Sequence, residues 1–249
     1  MTKKTPEQGP EIAFVTGAAQ GIGLATARRL AQDGFRVIAM DLSGDRLTPA
    51  VAALKSEGLD VEAKVVDVCN RASVVAAFAR EPRVDVMVCA AGIYNDARFL
   101  DLDETAFRRM LEVNVIGVFI AAQEAARRMQ AGGRIITISS RGALGGTRFA
   151  HYVASKSAVI GLTRAMAMEL REARIAVNSI APGFTDTPMT RSAPAEMFAA
   201  WERIEPSGAA AKPAEIANAI AFFASPRTSF VTGQTLFVDG GKSLGGLGI

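Results

Sequence analysis

A phenol and an amine stand four residues apart in Tyr152-Val-Ala-Ser-Lys156, and a serine pair, Ser139 and Ser140, follows the apolar run 134–138 just before them. Four residues is the spacing that places two side chains on one face of a helix. An ammonium beside a phenol favours the phenolate and draws a pKa of about 10 towards the working range of a general acid or base. Ser140 could hydrogen-bond the same substrate oxygen. Tyr and Lys at this spacing also occur on solvated helix faces, so the pair gains weight only from the elements that position it.

Those elements must come from a chain of 249 residues, 49% hydrophobic and 21% charged, with Gly 23 and Trp 1, which suits one Ala- and Gly-rich α/β domain. The net charge of +3 is dispersed, with no basic run, so nucleic acid is not expected as a partner. Residues 1–10 read as a flexible polar tail, and no apolar stretch reaches membrane-spanning length; a soluble cytoplasmic protein without a membrane partner is expected. Cys69 and Cys89 end apolar runs and are expected as free buried thiols. With one histidine, His151, and no Cys/His cluster, no metal site is expected.

Short apolar runs alternate with helix-length amphipathic segments. Strands are expected at 12–16, 36–40, 61–66, 84–89, 134–138, 175–180 and 235–238, with helices at 21–32, 46–56, 72–80, 105–130, 151–173 and 213–224. That alternation predicts a single-domain α/β fold over 11–249: a Rossmann-like, doubly wound parallel sheet of about seven strands with helices on both faces. Residues 182–213 break the rhythm with five prolines and a short helical stretch near 196–201, as expected of a substrate loop or lid. Phe184, Met189, Met197, Phe198 and Trp201 give it apolar surface to bury.

Thr16-Gly-Ala-Ala-Gln-Gly-Ile-Gly23 joins the first strand to the first helix. Gly17, Gly21 and Gly23 permit a tight turn and close backbone approach to a pyrophosphate, whose charge suits a helix N-terminus. Asp41 ends the second strand, where a carboxylate accepts hydrogen bonds from the adenosine ribose and repels a 2′-phosphate. NAD is therefore expected in preference to NADP; Gln20 adds no phosphate-binding charge, and Arg46, the dissenting cation, is placed on the surface of the next helix. Asp67 either meets the adenine amino group, with Val68 on the ring, or caps the helix that follows.

From Phe14 to Gly241 the chain resembles a classical short-chain dehydrogenase/reductase. The resemblance rests on the glycine loop, Asp67, Ala91-Gly92, Asn114 in Asn-Val-Ile-Gly, Tyr152 with Lys156, Asn178, Pro182-Gly183 with Thr187, Gly233-Gln234 and Val238-Asp-Gly-Gly241. It implies Tyr152 as acid/base, Ser140 orienting the reacting oxygen, Lys156 binding the nicotinamide ribose while lowering the Tyr152 pKa, and Asn114 holding a water in a proton relay. It implies cofactor contacts at Gly17, Gln20, Gly21, Ile22, Gly23, Asp41, Leu42, Asp67, Val68, Ala90, Ala91, Gly92, Tyr152, Lys156, Pro182, Gly183, Thr185 and Thr187. The family's usual spacing would select Ser139; counting from the strand selects Ser140, which is preferred because loops absorb deletions more readily than strands. Cys89-Ala90-Ala91-Gly92 departs from the family's Asn-Asn-Ala-Gly and removes amide side chains that steady the sheet beside the cofactor.

The reaction implied is hydride transfer between nicotinamide and a carbinol or carbonyl carbon, read as NAD-dependent oxidation of a secondary alcohol or the reverse. The alternatives are a 3-oxoacyl-thioester reductase using NADPH and, in another class, a catalytically silent nucleotide-binding sensor or scaffold. Substrate contacts are expected from Ser140, Gly142, Leu144, Tyr94, Phe149, Tyr152, Phe184 and Trp201, mostly apolar. Arg148 and His151 could meet a carboxylate or second oxygen but are read as structural. A homotetramer is also implied by the resemblance, through the long helices and the C-terminal region.

Overall fold

The computed structural model describes residues 9–245. Seven strands, β1 (Ile12–Thr16), β2 (Arg36–Asp41), β3 (Val61–Val65), β4 (Val84–Cys89), β5 (Met129–Ile138), β6 (Ala176–Pro182) and β7 (Thr235–Val238), form one sheet in the order β3-β2-β1-β4-β5-β6-β7. Every neighbouring pair is parallel. The chain winds outward from β1 to β3 and then returns to β4 on the other side of β1. A crevice opens at the carboxyl ends where the winding reverses, the place where such sheets bind ligands.

The strands are nearly continuous apolar runs because both faces are covered. Alternate residues of β1 point to opposite cores: Ala13 and Val15 pack with Ala27 and Leu30 of α1 (Gly21–Gln32), Leu47 and Val51 of α2 (Gly44–Ser56) and the helix Pro213–Ala224. Ile12 and Phe14 pack on the other side with α3 (Arg71–Phe78), the helix Gly117–Ala126 and the helix Ala150–Leu170.

The continuous helix expected over 105–130 is broken in the structure. It becomes α4 (Glu104–Leu111), a single π turn (Glu112–Ile116) and α5 (Gly117–Ala126), and Met129 and Gln130 already belong to β5. Met129 pairs with Val84, and a register shift follows before Val86 meets Arg134. The wider π turn rotates Asn114 inward, where it is fully buried. The helix expected to 173 ends earlier, as α6 (Ala150–Leu170).

Residues 182–213 hold more structure than a loop: α7 (Pro188–Arg191) and α8 (Ala195–Arg203) precede α9 (Pro213–Ala224). Phe184 packs on Phe198 at 4.9 Å and on Trp201 at 5.5 Å, and Arg191 lies over the Phe198 ring at 3.8 Å. Lys242 ties the end of this segment to the C-terminal turn through Glu205, at 2.5 Å. The expected tail at 1–10 falls largely outside the described residues, as do the last four residues of the chain. Among the described residues, no helix is long and apolar enough to cross a membrane.

Buried Glu124 on α5 gathers three guanidinium groups, Arg71 and Arg127 at 2.5 Å and Arg128 at 2.8 Å. The Arg128 hydrogen bond above all, then that of Arg71 and the charge of Arg127, holds its carboxyl below the usual 4.5 against the opposing effect of burial. That stabilisation is present above the unfolded pKa and is lost as pH falls through the lower folded value. Glu124→Gln is expected to lower stability at pH 7 by about 1–3 kcal/mol, since it leaves the cations without a counter-charge. In urea titrations the gap between variant and wild type should narrow as pH falls below the ordinary 4.5; a gap that stays constant down through the acid range would contradict this assignment.

Candidate active site

The cofactor cleft begins with backbone geometry. Gly17 and Gly21 have φ of 67° and 57°, in the left-handed region that favours glycine. A Cβ on Gly23 would lie 2.1 Å from Gly17 O, and one on Gly17 would lie 2.8 Å from Ala91 Cα. Only glycines let the loop, the start of α1 and the end of β4 approach this closely. The resulting cleft, about 280 Å³, is lined by every residue expected at the adenosine and pyrophosphate end, with Thr187 beside them. A glycine cradle at a helix N-terminus, with a carboxylate across the cleft, fits a dinucleotide.

Asp41 is fixed by two backbone donors: Ala19 N at 3.1 Å and Ser43 N at 2.9 Å. Asp67 does not cap α3; Asn70 does, accepting from Ser73 N at 3.2 Å, while Asp67 accepts from Cys69 N at 2.9 Å. Arg46 is exposed on the first turn of α2, as expected, and from there it also reaches the cleft, donating to Gln20 Oε1 at 3.3 Å. Cys69, expected to be buried, is half-buried on the cleft wall; Cys89 is buried and its thiol is pushed up to about 12 by burial. Pro182, Gly183 and Thr185 do not line the cleft. Gly183 instead passes close to the C-terminal turn, where a Cβ would lie 2.8 Å from Asp239 Cα, and the Thr185 hydroxyl donates to Gly183 O at 3.1 Å. The Thr187 hydroxyl caps α7 with Thr190.

The missing Asn-Asn amides at 89–90 are made good by other groups. Thr16 Oγ1 accepts from Ala91 N at 3.1 Å. Asn114 grips Ile93 at both backbone atoms, accepting from its N at 2.8 Å and donating to its O at 3.0 Å, and also donates to Ser155 Oγ at 3.1 Å. Ser155 in turn donates to Tyr152 O at 2.8 Å.

The two serines separate cleanly. Ser139 Oγ donates to Lys156 O at 2.8 Å, inside the protein. Ser140 Oγ accepts from Gly142 N at 3.0 Å and hydrogen-bonds the Tyr152 phenol. Gly142 packs closely beneath them, since a Cβ would meet Ser140 Oγ at 3.2 Å and Tyr152 Cε1 at 3.4 Å, a tight fit. Lys156 is buried and donates to Ile138 O at 2.9 Å, 5.6 Å from the Tyr152 ring centre. Burial draws its ammonium down to about 8.

The expected lowering of the Tyr152 pKa is not found in the protein alone. Burial pushes the phenol up, and the Ser140 hydrogen bond offsets only part of that. The reason is placement: Lys156 donates to a carbonyl and lies over the ring.

The expected substrate residues fall into two groups. Tyr94 meets Tyr152 edge-on at 5.2 Å and Phe149 at 5.9 Å, while Phe184 and Trp201 belong to the aromatic core of the α7–α8 segment. Leu144 is exposed on the turn after Ser140. His151 is buried and pairs through Nε2 with Asn95 Oδ1, and Arg148 pairs with Asp96. The sequence reading missed Asn95, Asp96 and Ser155. The polar pair directly after Tyr94 was the one available signal, while Ser155 lay unremarked between Tyr152 and Lys156.

The family model described as enoyl-(acyl carrier protein) reductase matches residues 17–243. The chain belongs to the short-chain dehydrogenase/reductase family. This short-chain dehydrogenase/reductase is 40% identical over 237 residues to cis-4-hydroxycyclohexanecarboxylate dehydrogenase of Sinomonas cyclohexanicum, covering 92% of this chain and 95% of the relative. It is 39% identical over 241 residues to a 3-oxoacyl-(acyl-carrier-protein) reductase of Thermotoga maritima, covering 93% and 97%. Its fold superimposes on an actinorhodin polyketide ketoreductase solved with NADPH at a TM-score of 0.88, with 32% identity and 94% and 97% coverage. The protein is an NAD(P)-dependent oxidoreductase that interconverts CH–OH and carbonyl groups.

Between the folded value of about 8 and the ordinary 10.5, Lys156 is neutral in the folded protein and protonated in the unfolded chain. Stability therefore rises with pH through this window and is lowest below it. Relative to Lys156→Met, wild-type stability should climb by about 3 kcal/mol from pH 8 to 10.5, read as a urea midpoint shift. Parallel curves would show that the amine is not desolvated.

Proposed function

We propose that this dehydrogenase/reductase uses NAD to oxidise a secondary alcohol to a ketone, with Tyr152 as the acid/base. The observation that carries the reading is the convergence of Ser140, Tyr152, Lys156 and Asn114. Ser140 hydrogen-bonds the phenol, and a Cβ on Gly92 would lie 3.2 Å from Asn114 Oδ1 and 3.5 Å from Lys156 Nζ. The absent side chain lets the Gly92 backbone lie close to both the amide and the amine.

The nicotinamide, when bound, supplies the hydride acceptor. Tyr152 takes the alcohol proton in oxidation and returns it in reduction. Ser140 holds the same oxygen in place, and its hydrogen bond offsets part of the upward push of burial on the phenol. Lys156 and Asn114, brought together beside Gly92, are the groups placed to pass the proton onward. Asp41, held by Ala19 and Ser43, presents its free lone pairs to the adenosine ribose and disfavours a 2′-phosphate, which supports NAD.

A second reading, NADPH-dependent reduction of a 3-oxoacyl thioester, draws its support from Arg46 at the cleft, a cation able to meet a 2′-phosphate. A homotetramer is supported by apolar side chains left on the surface, Phe99 and Leu100 before α4, Phe119 on α5, and Phe222 and Phe230 around α9. Two free thiols fit a reducing, cytoplasmic setting.

Tyr152→Phe is expected to lower turnover by at least about a thousandfold while dinucleotide binding, followed by fluorescence quenching of Trp201, stays within about threefold. Absorbance at the reduced-nicotinamide band, with both cofactors against secondary alcohols and 3-oxoacyl thioesters, separates the two readings. Near-normal activity in the variant would sink the role of Tyr152, and a preference for NADPH with thioesters would favour the second reading. Light scattering at four times the chain mass is expected; a monomer would contradict the assembly.

A further inference from the structure

The wall beside Tyr152 is held by a seam between two loops, one leaving β4 and the other entering α6. Ala97 N donates to Arg148 O at 2.8 Å, the Arg148 guanidinium binds Asp96 through Nε at 2.8 Å and Nη2 at 2.7 Å, and His151 Nε2 pairs with Asn95 Oδ1. Arg148 takes a left-handed backbone, φ 68°, which a non-glycine residue rarely adopts without such restraint.

The seam uses up its own charges. Asp96 neutralises Arg148, and burial holds His151 towards its neutral form, with Nε2 already committed to Asn95. Two polar atoms are left over: His151 Nδ1, which is buried inside the seam, and the Tyr94 hydroxyl, whose ring lies against Tyr152. The Tyr94 hydroxyl makes no hydrogen bond within the described residues, and its ring is fixed edge-on to Tyr152 at 5.2 Å and 85°. Burial, and then charge on Asp96 and Tyr152, push the Tyr94 phenol up, so it stays a donor where Tyr152 works as a base.

Resting on Tyr152 as the acid/base, we propose that the substrate is an uncharged cyclic alcohol, or its ketone, bearing a second neutral oxygen, and that Tyr94 is the specificity residue that hydrogen-bonds this oxygen. The Tyr94 and Phe149 rings, 5.9 Å apart, offer flat apolar surface to a carbon ring. A carboxylate brought to this wall would lose water and find Arg148 already paired with Asp96. A hydroxyl or carbonyl meets the free phenol instead. In the oxidation of cyclohexane-1,2-diol to 2-hydroxycyclohexanone, one carbinol carbon gives hydride to NAD and its hydroxyl gives the proton to Tyr152. The second hydroxyl, held by Tyr94, is unchanged.

The test compares kcat/KM with NAD for cyclohexane-1,2-diol, cyclohexanol and 4-hydroxycyclohexanecarboxylate. Wild type should favour the diol over cyclohexanol by about tenfold, the worth of one hydrogen bond, and Tyr94→Phe should reduce this ratio to about twofold or less. Asp96→Asn, which frees Arg148, should raise carboxylate turnover relative to the diol by about fivefold. A wild-type preference for the carboxylate, or a diol ratio that survives Tyr94→Phe, would overturn the proposal. So would an Asp96→Asn ratio equal to wild type, or no turnover of any of the three rings. Turnover of acyclic secondary alcohols, lost in Tyr152→Phe, would leave the acid/base reading standing even then.

Discussion

An ammonium kept out of water at the end of a parallel sheet is the constraint on which the site depends. Lys156 lies inside the protein with the Ile138 carbonyl as its hydrogen-bond partner, and burial alone brings it to about 8. Holding a cation there costs stability at neutral pH, and the surroundings are arranged to hold it. Ser139 fixes the backbone of Lys156 from the end of β5, and α6 carries Tyr152 one turn away on the same face. The phenol is raised by the same burial. The two groups are therefore poised for added charge: a bound dinucleotide would change the electrostatics of a site only partly open to water.

The winding of the sheet explains why so many elements meet there. β1 lies between β2 and β4, so the glycine loop after β1, Asp41 after β2 and the Ala90–Gly92 backbone after β4 open onto one crevice. The π turn then brings Asn114 beneath Ile93, and Ser155 links that amide to the backbone of Tyr152. Through two buried side chains, the end of β4 and the start of α6 are held in register.

Much of this was legible in the sequence where chemistry is local. Strand–helix alternation, glycine spacing and Tyr152/Lys156 periodicity are carried by neighbouring residues, and the structure places them as expected. The break in the helix over 105–130 was not legible, because a π turn adds one residue to an otherwise regular apolar pattern and its cause is the tertiary grip of Asn114 on Ile93. Arg46 is solvated on the first turn of α2 as expected, but its reach to Gln20 at the cleft was not legible, because only the fold brings the two side chains together. The direction of the Tyr152 pKa failed for a related reason: spacing gives a shared helix face but not which atom the Lys156 ammonium meets. The loss of the Asn-Asn pair looked like a weakness because Thr16 and Asn114, distant in sequence, supply the missing bonds.

The chain has only two tyrosines, so in Tyr94→Phe protein the phenolate absorbance belongs to Tyr152 alone. Titrating that band with and without oxidised dinucleotide tests most directly whether the site tunes this phenol. Free protein should show ionisation above the ordinary 10, as burial dictates, and loaded protein should show it below 10. The same midpoint in both states would contradict the assignment of Tyr152 as the group that moves the proton.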